Sequence, residues 1–574
     1  MLGRVALAER PLTRSELAAE LFCDADDPLG ALRWCLAELR RCLADPKVLR
    51  GDPVRIGPDA LWLDVWALAD GSLPPAEIGG VLLDGADVRN CPAFDVWLML
   101  ARGRCAARSM EELRQSALRL LAAGDSESAA ETAGRLAALD PLDENAQELF
   151  LRMLVAAGHP ARATIHLMAC EANFAAEGMR PSAALRAAAR PPADSVRPGL
   201  RASVVAASLL RAGSAALDAG SADAGIETLR RAADEAQRGD DLVLRADVLR
   251  ALGTALVHAV RGFDGEGSVI LHQALAAVSA AASQDSAASD RLSAEIQREL
   301  AFADLQAGRH ASAARALADA TAAAEAVGDG SLTAGVLAIR GMNEADQGRH
   351  DLGIQLLGAS AELAAAAGSR RQEAWSAGLM ARSLLQAGCL DQARAAAERS
   401  VHICRRERWN AFLPWPQAVR AHCLIAAGDL AAARDDAEDA YALACQLGDP
   451  CWEGMAGRAL AVLAAHAGDK GAAVEWITDA RRRCDRVPDR YVWVSSYVAL
   501  GHLEIAARQQ PELVQPLAAR LFRDALRADL PEFVAWAVIY QAEAGEFGNL
   551  PFARTLTAQV VNPALRARAA ALAG

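Results

Sequence analysis

The first clear apolar pattern along the chain runs through residues 27–43, "DPLGALRWCLAELRRCL". Leu29, Leu32, Leu36, Leu39 and Leu43 step by three and four, which places them on one face of a helix. Arg33, Trp34, Ala37, Arg40 and Arg41 fall on the opposite face. Upstream, "LGRVALAE" predicts a short helix. "RPLTRSELAAELF" predicts a second, with Thr13 as N-cap and Glu16 three residues on completing a capping box. Asp24 to Pro28 turn the chain, and Asp27-Pro28 starts the leucine-striped helix. Downstream, "KVLRGDPVRIG" predicts two short strands around a Gly-Asp-Pro turn.

Further along, the pattern repeats. Gly308, Gly348, Gly388, Gly428 and Gly468 are spaced by 40 residues. Five residues after each comes a small residue: Ala313, Gly353, Ala393, Ala433 and Ala473. Seven before come Ala301, Gly341, Ala381, Ala421 and Ala461, and twelve after come Ala320, Ser360, Ser400, Ala440 and Ala480. Antiparallel helices approach closely only where side chains are small, and glycine tolerates the positive φ of a tight turn. Each unit is therefore predicted to be a helical hairpin stacked on its neighbours, with no β-sheet between residues 200 and 550. Weaker copies surround Gly220 and Gly262, and residues 489–546 read as degenerate last units. An earlier pair turns at Gly124 and Gly158, with Ala129 and Ala163 five positions on. "RPPADSVRPG", residues 190–199, reads as a linker.

Composition agrees with helices. Hydrophobic residues make up 53% but aromatics only 5%, so alanine and leucine supply most of the apolar surface. The net charge of -13 opposes a protein that coats nucleic acid or anionic membrane over its whole surface, yet leaves room for one small DNA-contacting module. No apolar run reaches the roughly 18 residues of a membrane helix, and no signal peptide is visible. The twelve cysteines are scattered without a CxxC pair. They read as reduced and mostly buried, and the expected location is cytoplasmic, away from membranes.

The repeat resembles the tetratricopeptide repeat (TPR), lengthened to 40 residues from the usual 34 or so. The block of residues 75–190, through "FDVWLMLARGR", "AALDPLDENAQELFLRML" and "AAEGMRPSAALRAA", is similar to the bacterial transcriptional activator domain (BTAD) of SARP-type regulators. That resemblance implies that residues 1–70 are a winged helix-turn-helix, here starting inside its first helix and so lacking the family's N-terminal sheet. It further implies that Arg33, Trp34, Ala37, Arg40 and Arg41 face the major groove. Thr13, Arg14, Lys47, Arg50 and Arg55 become candidate phosphate contacts. The implied partners are promoter DNA and RNA polymerase. The expected fold is all-α: winged helix, activator domain, a TPR-like superhelix over residues 200–550, and a helical tail over 551–574.

Little else in the chain suggests chemistry. No GxxxxGK[ST] loop occurs, and "GFDGEGS", residues 262–268, lacks the phosphate-reaching lysine and reads as an inter-helix turn. His310 and His350 share a turn position rather than a metal spacing. "CRRER" and "RRRCDR" read as solvated helix ends. No enzyme signature, metal site or cofactor is expected. Trp375, Trp409, Trp415, Trp452 and Trp493 enrich the later repeats in aromatic surface. They read either as core or as the lining of an inner ligand site for a protein or small-molecule effector. The sequence thus supports a non-catalytic DNA-binding regulator with effector-binding repeats, homodimerisation being left open. Its rival is a TPR interaction scaffold whose DNA-reading module has degraded; residues 1–70 carry nine basic and twelve acidic side chains.

Overall fold

The structure, a computed structural model, describes the chain except residues 9, 44–47, 57–60, 86–90, 191–199, 219–220, 259–263, 282–285, 488–490, 546–555, 558–559 and 573–574. The described residues are overwhelmingly helical, and their only β pairing is two isolated antiparallel bridges, Leu12 with Val54 and Arg50 with Arg55. None of their helices is long and apolar enough to cross a membrane. The chain divides between Leu113 and Arg114 into two compact units, the terminal helix Pro563–Ala571 belonging to the second.

In the first unit, helices α1 (Leu2–Ala6), α2 (Arg14–Leu21) and α3 (Pro28–Cys42) precede α4 (Asp64–Asp70) and the start of the long α5 (Pro92–Ala122). Thr13 caps α2 and its capping box with Glu16 is complete; the Asp27 carboxylate caps α3 by accepting from Gly30 N, with Pro28 in the first turn. Leu32 and Leu36 are fully buried against Leu17, Leu21, Val48, Val54, Phe94 and Trp97, with Leu39 and Leu43 packed alongside. Leu29 departs from the expected stripe. At the first turn of α3 it lies beyond the reach of the core and stays 45% exposed.

The second unit is a series of antiparallel helix pairs. The regular ones are Ser286–Gln306 with His310–Val327, Gly330–Asp346 with His350–Ala366, Arg370–Gln386 with Leu390–Arg406, Pro414–Ala427 with Leu430–Leu447, and Pro450–His466 with Lys470–Cys484. The five turn glycines have φ between 77° and 82°. All fifteen small register residues are buried. Ser360 and Ser400 use the closeness directly, donating their hydroxyls to the carbonyls of Ala334 (2.6 Å) and Ala374 (2.7 Å) in the preceding first helices. First helices of successive hairpins pack on one another as well as on their own partners, which makes the row of first helices the inner side of the array.

Two expectations change. Residues 264–268 are not a turn: Asp264 to Ser268 open the helix Asp264–Ala281, where Asp264 and Glu266 complement the helix N-terminus. A glycine stands at 267 because the neighbouring helix comes so close that a Cβ would lie 2.9 Å from a Val257 methyl and 3.2 Å from the Gly253 carbonyl oxygen. The cysteines are also less buried than expected, Cys23, Cys42, Cys389 and Cys445 being exposed. The linker residues 191–199 and the turn glycines Gly220 and Gly262 lie outside the described residues.

Candidate functional site

The candidate residues fall in two places, the outer face of α3 and the inner row of the repeats. On α3, Arg33, Trp34, Ala37 and Arg41 are exposed together, Trp34 at 72%. Arg40, predicted with them, turns away. Its Nε and Nη2 donate to the carbonyls of Val48 (3.0 Å) and Leu49 (2.5 Å), so it ties the helix to the segment that follows. Arg14 does similar work, donating from Nε to Gly51 O (3.1 Å) and from its backbone N–H to Asp52 Oδ1 (2.9 Å). The Gly51-Asp52-Pro53 turn, with a cis Asp52-Pro53 bond, carries the Arg50–Arg55 bridge, and Val54 N donates to Leu12 O at 2.8 Å. Arg50 and Arg55 are exposed there. Lys47 lies outside the described residues.

Each exposed arginine of α3 has a carboxylate near it. Arg41 pairs with Glu38, and Arg33 approaches Asp27 at 3.5 Å. The Thr13 hydroxyl is committed to Glu16. Arg10, followed by the Thr13 backbone and hydroxyl, holds the Glu16 carboxyl down at about 2. These surface pairs are weak and re-orientable, so they leave the arginines able to exchange partners.

The structure brings the five tryptophans together, but as packing. Trp375 and Trp409 meet Phe412 at 4.7 and 5.0 Å between ring centroids; Trp415 meets Trp452 at 5.2 Å and Trp493 at 6.5 Å. Trp415, Trp452 and Trp493 are buried. The indole N–H groups of Trp415 and Trp452 donate to the carbonyls of Gly378 and Ala411, each at 3.1 Å. Only Trp375 and Trp409 remain half-exposed.

Beneath them lies a polar cluster that sequence reasoning missed. Arg382, 1% exposed, donates from Nη1 to the Tyr491 hydroxyl (2.6 Å) and ion-pairs with Asp346 (2.7 Å). Tyr491 donates in turn to the Asp346 carboxylate, and Trp493 lies 4.3 Å from the guanidinium carbon. Burial, together with the Asp346 charge, pushes the Tyr491 hydroxyl well above its ordinary range, so it stays a donor. The Nε and Nη2 of Arg382 are buried without a hydrogen-bond partner. A signal existed: Arg382 sits six residues before its turn glycine, where the other repeats carry Phe302, Met342, His422 and Val462.

The paired histidines have separate partners: His310 Nδ1 meets Asn343 Oδ1 at 2.9 Å, and His350 Nε2 meets Glu532 Oε2 at 2.8 Å. The "RRRCDR" run is only partly a solvated end. Arg482, Arg483 and Arg486 line an open surface depression of about 720 Å³ with Asp479 and Asp485, and Arg483 and Arg486 both ion-pair with Glu453. Arg481 is buried and donates to Ser495 O at 3.2 Å.

No family model matches this chain, and no curated protein matches it. Solved structures do align with it. A Rap protein complexed with competence and sporulation factor aligns at 12% identity and a TM-score of 0.46, over 64% of this chain and 99% of its own. The Rap conjugation gene regulator of plasmid pLS20, in complex with the Phr* peptide, aligns at 12% identity and a TM-score of 0.40, over 62% and 96%. The APC/C hetero-tetramer Cut9-Hcn1 aligns at 12% identity and a TM-score of 0.33, over 80% and 96%.

Proposed function

We propose that this TPR-like helical repeat protein is a non-catalytic transcriptional regulator of the SARP type. On this reading residues 1–70 are a winged helix-turn-helix, residues 75–190 an activator domain, and the repeats over 200–550 receive a protein or small-molecule effector. The observation that carries the DNA-reading half is the exposed set Arg33, Trp34, Ala37 and Arg41 on α3, beside the bridged turn of residues 50–55. An α-helix fits the major groove, arginine donates to guanine edges, and a small Ala37 permits close approach. Arg50, Arg55 and Lys47 would meet phosphates. Arg14 and Arg40 instead become positioning residues that hold the wing against the helix. Contact with RNA polymerase follows from the family resemblance alone.

A mobility-shift titration of the full chain on promoter fragments, across salt concentrations, tests this reading. The double substitution Arg33→Ala and Arg41→Ala should weaken binding by about 1–3 kcal/mol per base-edge contact, or flatten the salt slope by about 1 for each phosphate contact. Both side chains are exposed, so helical content should not change. Equal affinity of wild type and variant at every salt concentration would favour the scaffold. The surplus of acidic over basic side chains in residues 1–70 supports that second reading.

A further inference from the structure

The five turn glycines of the regular hairpins have the same geometry but not the same surroundings. At Gly428 and Gly468 a Cβ would meet nothing within 4 Å. At Gly308 it would fall 2.7 Å from the Cβ of Ala528, at Gly348 it would fall 3.3 Å from a methyl of Val560, and at Gly388 3.0 Å from Cγ of Pro563. Three consecutive turns are thus covered by residues from the far end of the chain, and two are bare. Bare turns of identical conformation show that the hairpins do not need the cover in order to form.

Specific polar contacts hold the cover in place. Asn562 caps the helix Pro563–Ala571, its Oδ1 accepting from Ala564 N and Leu565 N. Its Nδ2 donates to Glu532 Oε1 (2.6 Å) and reaches Gln386 Oε1 (3.4 Å). The other Glu532 oxygen takes His350 Nε2 at 2.8 Å. Gln386 and His350 flank the covered turns, so Asn562 reaches one hairpin directly and the other through Glu532. Val560, Asn562 and Leu565 are buried in the process. On the solvent side, Arg568 pairs with Glu543 and donates to the Tyr540 hydroxyl at 2.7 Å. A helix of nine residues does not persist in water by itself, so its contacts with the array keep it formed.

We propose that the turn edge formed by Gly348, His350, Gln386 and Gly388, with Glu532 beside it, is a docking groove for a helix start of the form apolar-apolar-Asn-Pro. In this state the chain's own residues 560–571 occupy it, and a polypeptide partner carrying such a helix start engages the repeats by displacing them. The proposal deepens the reading of the repeats as an effector-binding array, and it is independent of DNA binding by residues 1–70.

The experiment uses the full chain and two variants, Asn562→Ala and Arg568→Ala. Hydrogen exchange is followed at residues 346–350 and 386–390, with residues 426–430 and 466–470 as internal controls. A fluorescein-labelled synthetic peptide of residues 556–574 is then titrated. In Asn562→Ala the first two turns should exchange about ten-fold faster while the bare turns stay unchanged. The peptide should bind that variant about ten-fold more tightly than wild type, and the same peptide carrying Asn562→Ala should bind neither. If Asn562→Ala loses helical content, Arg568→Ala supplies the readout, since it loosens the segment from its solvent side. Unchanged exchange at all four turns would overturn the seating. Faster exchange without peptide binding would overturn the docking role and leave the segment a fixed end of the array. A negative mobility-shift assay would leave either result standing.

Discussion

The hairpins from Ser286 to Cys484 and the helices of residues 14–42 both bury apolar side chains, yet their cores close differently. In the hairpins, closure depends on what is missing from the side chains. Ala301, Ala313 and Ala320, with their counterparts at 40-residue steps, are small residues buried where the helix backbones come close. In the N-terminal helices, closure depends on bulk: Leu17, Leu32 and Leu36 fill the space, and polar ties from Arg14 and Arg40 fix the connecting segment. A core made by close backbone approach tolerates added volume poorly, whereas a leucine core with exposed flanks tolerates changes on its surface. The contrast extends to charge. The repeats bury an ion pair outright at Asp346 and Arg382, with side-chain exposures of 0% and 1%, while the ion pairs on α3 are exposed.

If the repeat interior is the intolerant region, the largest effect comes from Asp346→Ala. It leaves the buried Arg382 charge without its counter-ion and should cost about 3–5 kcal/mol in denaturant unfolding. A loss below about 1 kcal/mol would mean that water reaches the cluster. Acid should then separate the two regions. Burial lowers His272, in the helix Asp264–Ala281, to about 4 from its ordinary 6.5. A histidine lowered on folding stabilises above its unfolded pKa, and that contribution falls away as pH drops from about 6.5 to about 4, a total of about 3 kcal/mol. For Glu16 the folded value is about 2 against 4.5, so its contribution persists until pH falls below about 4.5. Denaturant melts at pH 7, 5 and 4 should therefore weaken the repeats first, and His272→Gln should flatten that slope.

A smaller effect is expected from Ala433→Leu. It overpacks the contact between Pro414–Ala427 and Leu430–Leu447 and should lower stability by about 1–3 kcal/mol; an unchanged melting profile would deny the close approach. The smallest belongs to the N-terminal region. Thr13→Ala removes the cap and capping box of α2 and should cost about 1 kcal/mol, read as a small shift confined to residues 1–60.

The same contrast explains what could be read from the sequence. The hairpins were legible because close approach imposes small residues at a fixed period, and a period survives any choice of side chain elsewhere. The capping box at Thr13 and the Asp27-Pro28 start were legible because they are local. What was not legible depends on contacts far apart in sequence. Nothing near Arg40 announces that its guanidinium turns to Val48 and Leu49 rather than outward. Asp346 and Arg382 come from two successive first helices and Tyr491 from the residue that precedes the helix Val492–Gln509, so no local spacing marks them. The tryptophans were recognised as a group, but only the folded row of first helices decides that Trp415, Trp452 and Trp493 are packed rather than open.

The tryptophan arrangement also gives the molecule two optical populations. All eleven indoles lie either at or before Trp97 or at or after Trp375, leaving residues 98–374 dark. Trp34 and Trp62, at 72% and 70% exposure, sit in solvent and should emit at long wavelength and be quenched by iodide. Trp375, Trp409, Trp415, Trp452 and Trp493 form a relay of ring contacts with Phe412, close enough for excitation to pass along it and depolarise. Red-shifted, quenchable intensity therefore reports on the N-terminal face, and the rise in anisotropy as excitation moves to the red edge, where transfer between indoles stops, reports on the later repeats, without any label being attached.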